Sequence, residues 1–410
     1  MTARSAVAGA AAVFALPLVL VLVLWPLLVP IPAVGDDFQF WAAGHMVVTG
    51  QSPYDRASWE AIADYGPYPG GNINTSRINL AITNAVWLYP PQTAFLFAPF
   101  GALPYEIGVP LLHVFVLLTG LLAIAAAAYL AGLRGIRLGV ALCVAIVSQP
   151  FLVSVRDGHP IGLLALGAVL LYAGIVSRRD GPAFMGTALL TLKPHLTGLF
   201  ALGAFAALVS RRDWRRLGAM VAGAALVTLP FEIATPFPIA SFIASTNERV
   251  AVDVSTIPAL ARDLGGGLPL ALALAALTGA ACLVALRLAR AEFRARVALA
   301  SALIGSLAFV PYAHDYDTLF VLPVGFVLVA LGVGRPAEAV VGLMTTVAVF
   351  IVPWILFWWY LAGEPHRVFR SGPLGAVPIV LALALAGAVY ASALREARRS
   401  APDGEQRGLA

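Results

Sequence analysis

Apolar residues run through most of the chain in long blocks, separated by arginine-rich or Pro/Gly-rich breaks. A block of about 20 apolar residues crosses the hydrocarbon core as a helix, because inside lipid every backbone N–H and C=O has to be paired within its own element. The pattern predicts helices near 7–30, 105–131, 138–153, 161–176, 217–234, 264–286, 297–310, 318–333, 339–361 and 374–394. A shorter pair, 183–192 and 195–210, breaks at Lys193-Pro194. Proline has no N–H to give and disfavours helix in the residue before it. With the pair counted as two half-depth or tilted helices, the expectation is an all-α polytopic membrane protein of about twelve helices: one transmembrane domain over 1–394 and a polar tail over 395–410.

One segment between apolar blocks is long, 31–104. Loops of that length are functional or disordered as a rule, and this one interleaves Phe38, Phe40, Trp41, Tyr54, Trp59, Tyr65, Tyr68, Trp87 and Tyr89 with polar residues. Aromatics mixed with polar groups are the pattern of segments lying at the membrane interface. From Asp37 to Thr49 the residues suit a short amphipathic helix with Asp36 or Asp37 at its N-terminus. The first block, Ala6 to Pro30, is too long for a signal-peptide core and reads as an uncleaved anchor.

Composition sharpens this picture. Of the 410 residues 60% are hydrophobic and 11% charged, against roughly 25% charged in soluble domains, so a soluble fold is excluded. The sequence holds no phosphate-binding G-x-x-x-x-G-K-[ST] and no dinucleotide G-x-G-x-x-G, and nucleotide-driven work is not expected. The net charge of +5 reflects topology rather than a nucleic-acid partner. With the N-terminus inside, Arg4, Arg134, Arg137, Arg178, Arg179, the Arg211–Arg216 run, Arg287, Arg290, Arg294, Arg296, Arg335, Arg395, Arg398, Arg399 and Arg407 all fall on the inner face, 18 of the 26 basic residues. That bias follows the positive-inside rule and puts both termini in the cytoplasm. Cys143 and Cys282 lie inside apolar blocks as small buried hydrophobes. Arginine in place of lysine, with abundant alanine, correlates with a GC-rich bacterial genome, hence a bacterial inner (plasma) membrane.

Four polar clusters fall at outer-side helix ends: Asp36-Asp37, Arg156-Asp157-Gly158-His159, Lys193-Pro194-His195 and His314-Asp315-Tyr316-Asp317. Ionisable groups at membrane depth are costly and therefore functional candidates. A carboxylate among aromatics can act as general base on a sugar hydroxyl, while Lys, His and Arg hold a phosphate by charge-assisted hydrogen bonds. Each group also has an ordinary structural reading. Asp36, Asp37 or Asp317 can be an N-cap, Lys193 a snorkelling charge at a hairpin tip, and His159 and His195 hydrogen-bonded structural residues. Lys193 is nonetheless the only lysine in the chain. No three-ligand spacing points to a metal, and no cofactor is expected.

The order of these pieces resembles the polyprenol-phosphate-mannose-dependent mannosyltransferases of glycosyltransferase family 87, which have the glycosyltransferase C fold. The resemblance is carried by Asp37-Phe38 with Phe40-Trp41-Ala42-Ala43, Gly50-x-x-Pro53-Tyr54-Asp55, Tyr89-Pro90-Pro91 followed by Phe97-Ala98-Pro99-Phe100 and Leu103-Pro104, Leu192-Lys193-Pro194, and His314-Asp315-Tyr316. It implies a general base at Asp37 with Asp36 as near substitute, and donor-phosphate or wall positions at Lys193, His314, Asp315 and Tyr316; the chain's own polar clusters add Arg156 or His159 as clamp candidates and Tyr89 as a substrate-binding candidate. It also implies a polyprenyl-phosphate-linked sugar donor, mannose in that family, and a glycan or glycolipid acceptor, with inversion on the periplasmic or outer face. Where relatives usually read Gly-Gln followed soon by Asn, this chain has Gly158-His159-Pro160-Ile161-Gly162. The competing classes are a transporter or flippase of lipid-linked glycans, which is expected to carry midplane polar groups and repeat symmetry, and an assembly factor without chemistry.

Overall fold

The computed structural model describes residues 36–63, 87–234, 240–243, 256–310, 313–331, 354 and 372–400. Every element among them is helical. The expected spans 7–30 and 339–361 lie outside these residues, apart from Trp354, as do parts of the 31–104 segment. Three helices are long and apolar enough to cross a membrane, Tyr105–Leu130, Gly267–Leu288 and Leu374–Ala397, or four if Arg137–Ile146 and Gln149–Arg156 make one broken span. Ile161–Ser177 and Pro194–Ser210 are shorter apolar helices. The protein is a membrane-type helical protein, and the described residues hold fewer full-length spans than the twelve crossings expected.

The chain divides into two compact units, Met1–Ala126 with Phe151–Val252 and Ala127–Pro150 with Asp253–Ala410. In the first unit, α1 (Asp36–Val48) and α2 (Arg56–Ala63) precede α3 (Pro91–Gly101) and α4 (Tyr105–Leu130). The 31–104 segment is thus ordered where it is described. Trp59 Nε1 donates to the Pro53 carbonyl at 2.8 Å, Trp41 Nε1 to Leu103 O at 3.1 Å and Tyr54 OH to Tyr89 O at 2.6 Å. Burial pushes the Tyr54 hydroxyl well above the ordinary tyrosine range. Helix α1 lies directly on α3 because small residues line the crossing: a side chain at Gly44 would run into the Phe97 carbonyl, and one at Gly101 into His45.

The same device repeats further along. After α5 (Ile136–Ile146) and α6 (Gln149–Arg156) come α7 (Ile161–Ser177), α8 (Asp180–Leu190), α9 (Pro194–Ser210) and α10 (Trp214–Ala234). Gly174 and Gly186 let α8 press against α7, and Gly223 lets α10 press against Phe184 of α8. Ala123, Ala165 and Leu166 form a small core. Along α4 the exposed residues Ile107, Leu111, Val114, Leu118 and Leu122 fall at helical spacing. Such a continuous apolar stripe would be poorly hydrated in water and is matched by lipid.

In the second unit, α11 (Ile257–Asp263), α12 (Gly267–Leu288), α13 (Ala291–Phe309), a 3₁₀ helix at Asp315–Val321, α14 (Leu322–Leu331), a second 3₁₀ turn at Gly372–Ala376 and α15 (Val377–Ser400) follow in order. Ile257, Ala261, Ala271, Ala308 and Ile379 share its core. Thr256 caps α11 through Ala259 N–H at 3.3 Å, and Pro258 in the first turn gives up a donor that had no partner there. The block expected as one helix over 138–153 is two, α5 and α6. Pro150 in the first turn of α6 cannot donate back to Ile146, so the helix ends and restarts.

Candidate active site

Asp37 is the second residue of α1 and is 7% exposed. A carboxylate out of water needs charge or hydrogen bonds around it, and three elements supply them. Its Oδ1 accepts from the Phe38 N–H at 2.7 Å. Its Oδ2 faces His113 Nε2 on α4 at 3.3 Å. The Arg156 guanidinium at the end of α6 interacts electrostatically with Asp37 as well as with Asp157, whose Oδ1 is 3.9 Å away. Asp36 opens α1 and is half-buried.

The Arg156–His159 cluster is a helix C-terminus. Gly158 sits at φ +67°, the left-handed conformation glycine adopts without a side-chain clash. The turn that results pairs His159 N–H with Ser154 O at 2.8 Å and Gly158 N–H with Val155 O at 3.3 Å, satisfying carbonyls that the helix end would leave open. A side chain on Gly158 would stand 3.1 Å from Asp37 Cβ, so this turn lies close beside Asp37. The next residue, His159, is fully buried, and its Nε2 meets Tyr89 OH at 2.7 Å. Phe40 of α1 packs against both rings at 5.3 Å.

Tyr89 in turn connects to Lys193, whose Nζ lies 5.7 Å from the Tyr89 ring centre. Lys193 is 1% exposed. A snorkelling charge would reach for water, so that reading of Lys193 is overturned. The local reason for its position is the break between α8 and α9. Pro194 starts α9, and the last carbonyls of α8 lose their helical partners. Gln92 Nε2 donates to Thr191 O at 3.0 Å, Thr93 Oγ1 to Leu192 O at 2.8 Å and Thr197 Oγ1 to Leu190 O at 2.6 Å. The segment after Tyr89-Pro90-Pro91 therefore clamps the lysine-bearing turn. In the first unit the structure brings Asp37, Arg156, His159, Tyr89 and Lys193 into one run of contacts.

His314, Asp315 and Tyr316 belong to the second unit. Asp317 is not the cap itself: His314 holds the N-cap position of the 3₁₀ helix, and Asp317 reaches back to accept its N–H at 2.9 Å. Gln149 Nε2 hydrogen-bonds Asp315 Oδ2, and Asp315 Oδ1 takes the Tyr316 N–H at 2.9 Å. Desolvation raises the Asp315 carboxyl above the usual carboxylate range, against the pull of those two bonds. The His314 and Tyr316 rings are 5.1 Å apart. A cavity of about 270 Å³ in this unit, lined by Gly132, Arg137, Phe293 and Arg296 among others, contains none of these residues. Among the described residues no three His, Cys, Asp or Glu side chains come together as metal ligands.

Sequence reasoning passed over His113, Gln92, Thr93 and Gln149. A histidine inside an apolar block was a usable signal for His113, since ionisable residues within spans are rare. For the other three no local pattern marks which carbonyl or carboxylate they will meet.

The model of glycosyltransferase family 87 matches residues 87–313, more than half of the chain. No curated protein and no solved structure matches it significantly. The matched stretch includes Tyr89, Arg156, His159 and Lys193. Asp37 precedes it and His314 follows it, so the case for those two rests on the chain's own geometry and motifs.

Proposed function

The chain belongs to glycosyltransferase family 87, and on that premise we propose an inverting transfer of a hexose, mannose by family resemblance, from a polyprenyl-phosphate donor to an acceptor hydroxyl on a glycan or glycolipid. Asp37 takes the hydroxyl proton as the acceptor oxygen attacks the anomeric carbon. The bond from that carbon to the phosphate oxygen breaks on the opposite face, and polyprenyl phosphate leaves with the electron pair. Asp36, one residue away, is the near substitute.

The observation that supports this reading is the buried Asp37 carboxylate, linked through the Arg156–His159 turn and Tyr89 to the buried ammonium of Lys193. A phosphate leaves readily once its charge is held, so one base and a cationic clamp suffice, and a second catalytic carboxylate is unnecessary. Within the first unit, Lys193, Arg156 and His159 are the clamp, with Tyr89 as a wall. A lipid-borne donor also accounts for a chain without a nucleotide motif. The site opens to the periplasmic or outer face of a bacterial inner membrane, with both termini in the cytoplasm.

Purified protein in bilayers, supplied in parallel with polyprenyl-phosphate mannose and with a nucleotide-activated mannose plus a glycolipid extract, tests the donor class. Label should enter glycolipid from the lipid donor alone. Transfer from the nucleotide sugar, or translocation of lipid-linked sugar with no glycosidic bond formed, contradicts the reading.

A further inference from the structure

We infer that His113 is a positioning residue for the transfer, fixing the Asp37 carboxylate in the orientation from which it takes the acceptor's proton; the inference rests on Asp37 being the base. His113 lies on α4, half-buried, between the buried Leu112 and the exposed Val114. Its Nδ1 is 2.6 Å from the Val155 carbonyl. A carbonyl and a carboxylate oxygen both only accept, so the bridging ring donates from Nδ1 to Val155 and from Nε2 to Asp37, which sets its orientation. Nε2 then points at Asp37 Oδ2, 3.3 Å away.

A carboxylate swings broadly about its last side-chain torsion unless both oxygens are engaged. Here Oδ1 is engaged by the Phe38 N–H and Oδ2 by the ring, while Gly158 lies close beside Cβ, with too little room there for a side chain of its own. Val155 and Gly158 belong to the same helix end. His113 therefore fixes the base relative to the turn that carries Arg156 and His159, one ring contacting both. The arrangement follows the general logic of a catalytic group oriented by a second residue behind it.

A purely structural His113 would tie α4 to the end of α6 through Val155 and do nothing through Asp37. Two substitutions separate these roles, because the asparagine amide nitrogen falls near the Nδ1 position and the glutamine amide nitrogen near Nε2. His113→Asn keeps the Val155 bond and loses the Asp37 contact, and His113→Gln does the reverse. Thermal stability, donor KM and kcat are measured for both, with Asp37→Asn alongside, using polyprenyl-phosphate mannose as donor. Positioning predicts that His113→Asn loses about ten- to a hundredfold in kcat, the usual range for residues behind a reactive group, with donor KM within about twofold, while His113→Gln recovers most of kcat. The inference is overturned if His113→Asn turns over like the wild type while Asp37→Asn is inactive, or if both His113 variants lose kcat equally. Full activity in Asp37→Asn removes the base reading and this inference together. If His113→Asn does not fold, His113→Gln decides alone: kcat near the wild type supports positioning, and kcat at the Asp37→Asn level overturns it.

Discussion

Asp37 and Asp315 are both shielded from water, and their surroundings treat them differently. Asp37 has a guanidinium and an imidazole facing it. Asp315 has an amide and a backbone N–H, and desolvation outweighs them. A carboxyl whose folded value is raised binds its proton better in the folded chain than in the unfolded one, so its contribution to stability falls as pH rises from about 4 upward. Asp315→Asn keeps an oxygen for Gln149 and removes the charge. The variant should gain thermal stability relative to the wild type as pH goes from about 4 to about 8. Melting temperatures in detergent across that range check this, and a wild-type advantage that grows with pH contradicts it. At this scale the sequence was legible by residue type alone. A single lysine or a doubled aspartate stands out in an apolar chain, whereas the partners of Gln92, Thr93 and Gln149 are set by helices that meet only in the folded protein.

Elements hold these residues in place through their ends. Lys193 sits in the gap between α8 and α9, Asp37 in the first turn of α1, and the Arg156–His159 turn at the end of α6. Proline made the α8/α9 break readable in advance, because a missing N–H is a property of one residue. The α5/α6 break also has a proline, yet the apolar block runs on across Val147 and Ser148, and hydropathy alone reads through it. Gly158 carries the most demanding geometry of these ends. An alanine there takes on the left-handed penalty of about 1–2 kcal/mol and places a methyl group against Asp37 Cβ. Gly158→Ala should therefore lower the melting temperature and reduce kcat more than donor affinity. Unchanged kcat with normal stability would show that the turn does not bear on the carboxylate.

For the whole molecule, the apolar blocks and the arginine bias carried the fold class, because both follow from transfer free energies that each residue obeys on its own. The division into two compact units was not legible, since which helices cluster depends on small-residue crossings such as Gly44 on Phe97 and Gly186 on Leu171. The proposed orientation has a direct check. In a background lacking Cys143 and Cys282, single cysteines at the exposed positions Ala57 and Arg211 should react with an impermeant thiol reagent from opposite sides of the membrane. Labelling of both from outside intact cells contradicts the topology and with it the outward-facing site.

The account turns on what Asp37 does, and Asp37→Asn addresses it most directly. Asparagine keeps the size and an oxygen for the Phe38 N–H, and it cannot take a proton from an alcohol. Purified Asp37→Asn protein should retain near-normal thermal stability and donor-lipid binding while transfer from polyprenyl-phosphate sugar falls by at least about a hundredfold, with Asp36→Asn much milder. Wild-type transfer by Asp37→Asn would contradict the account.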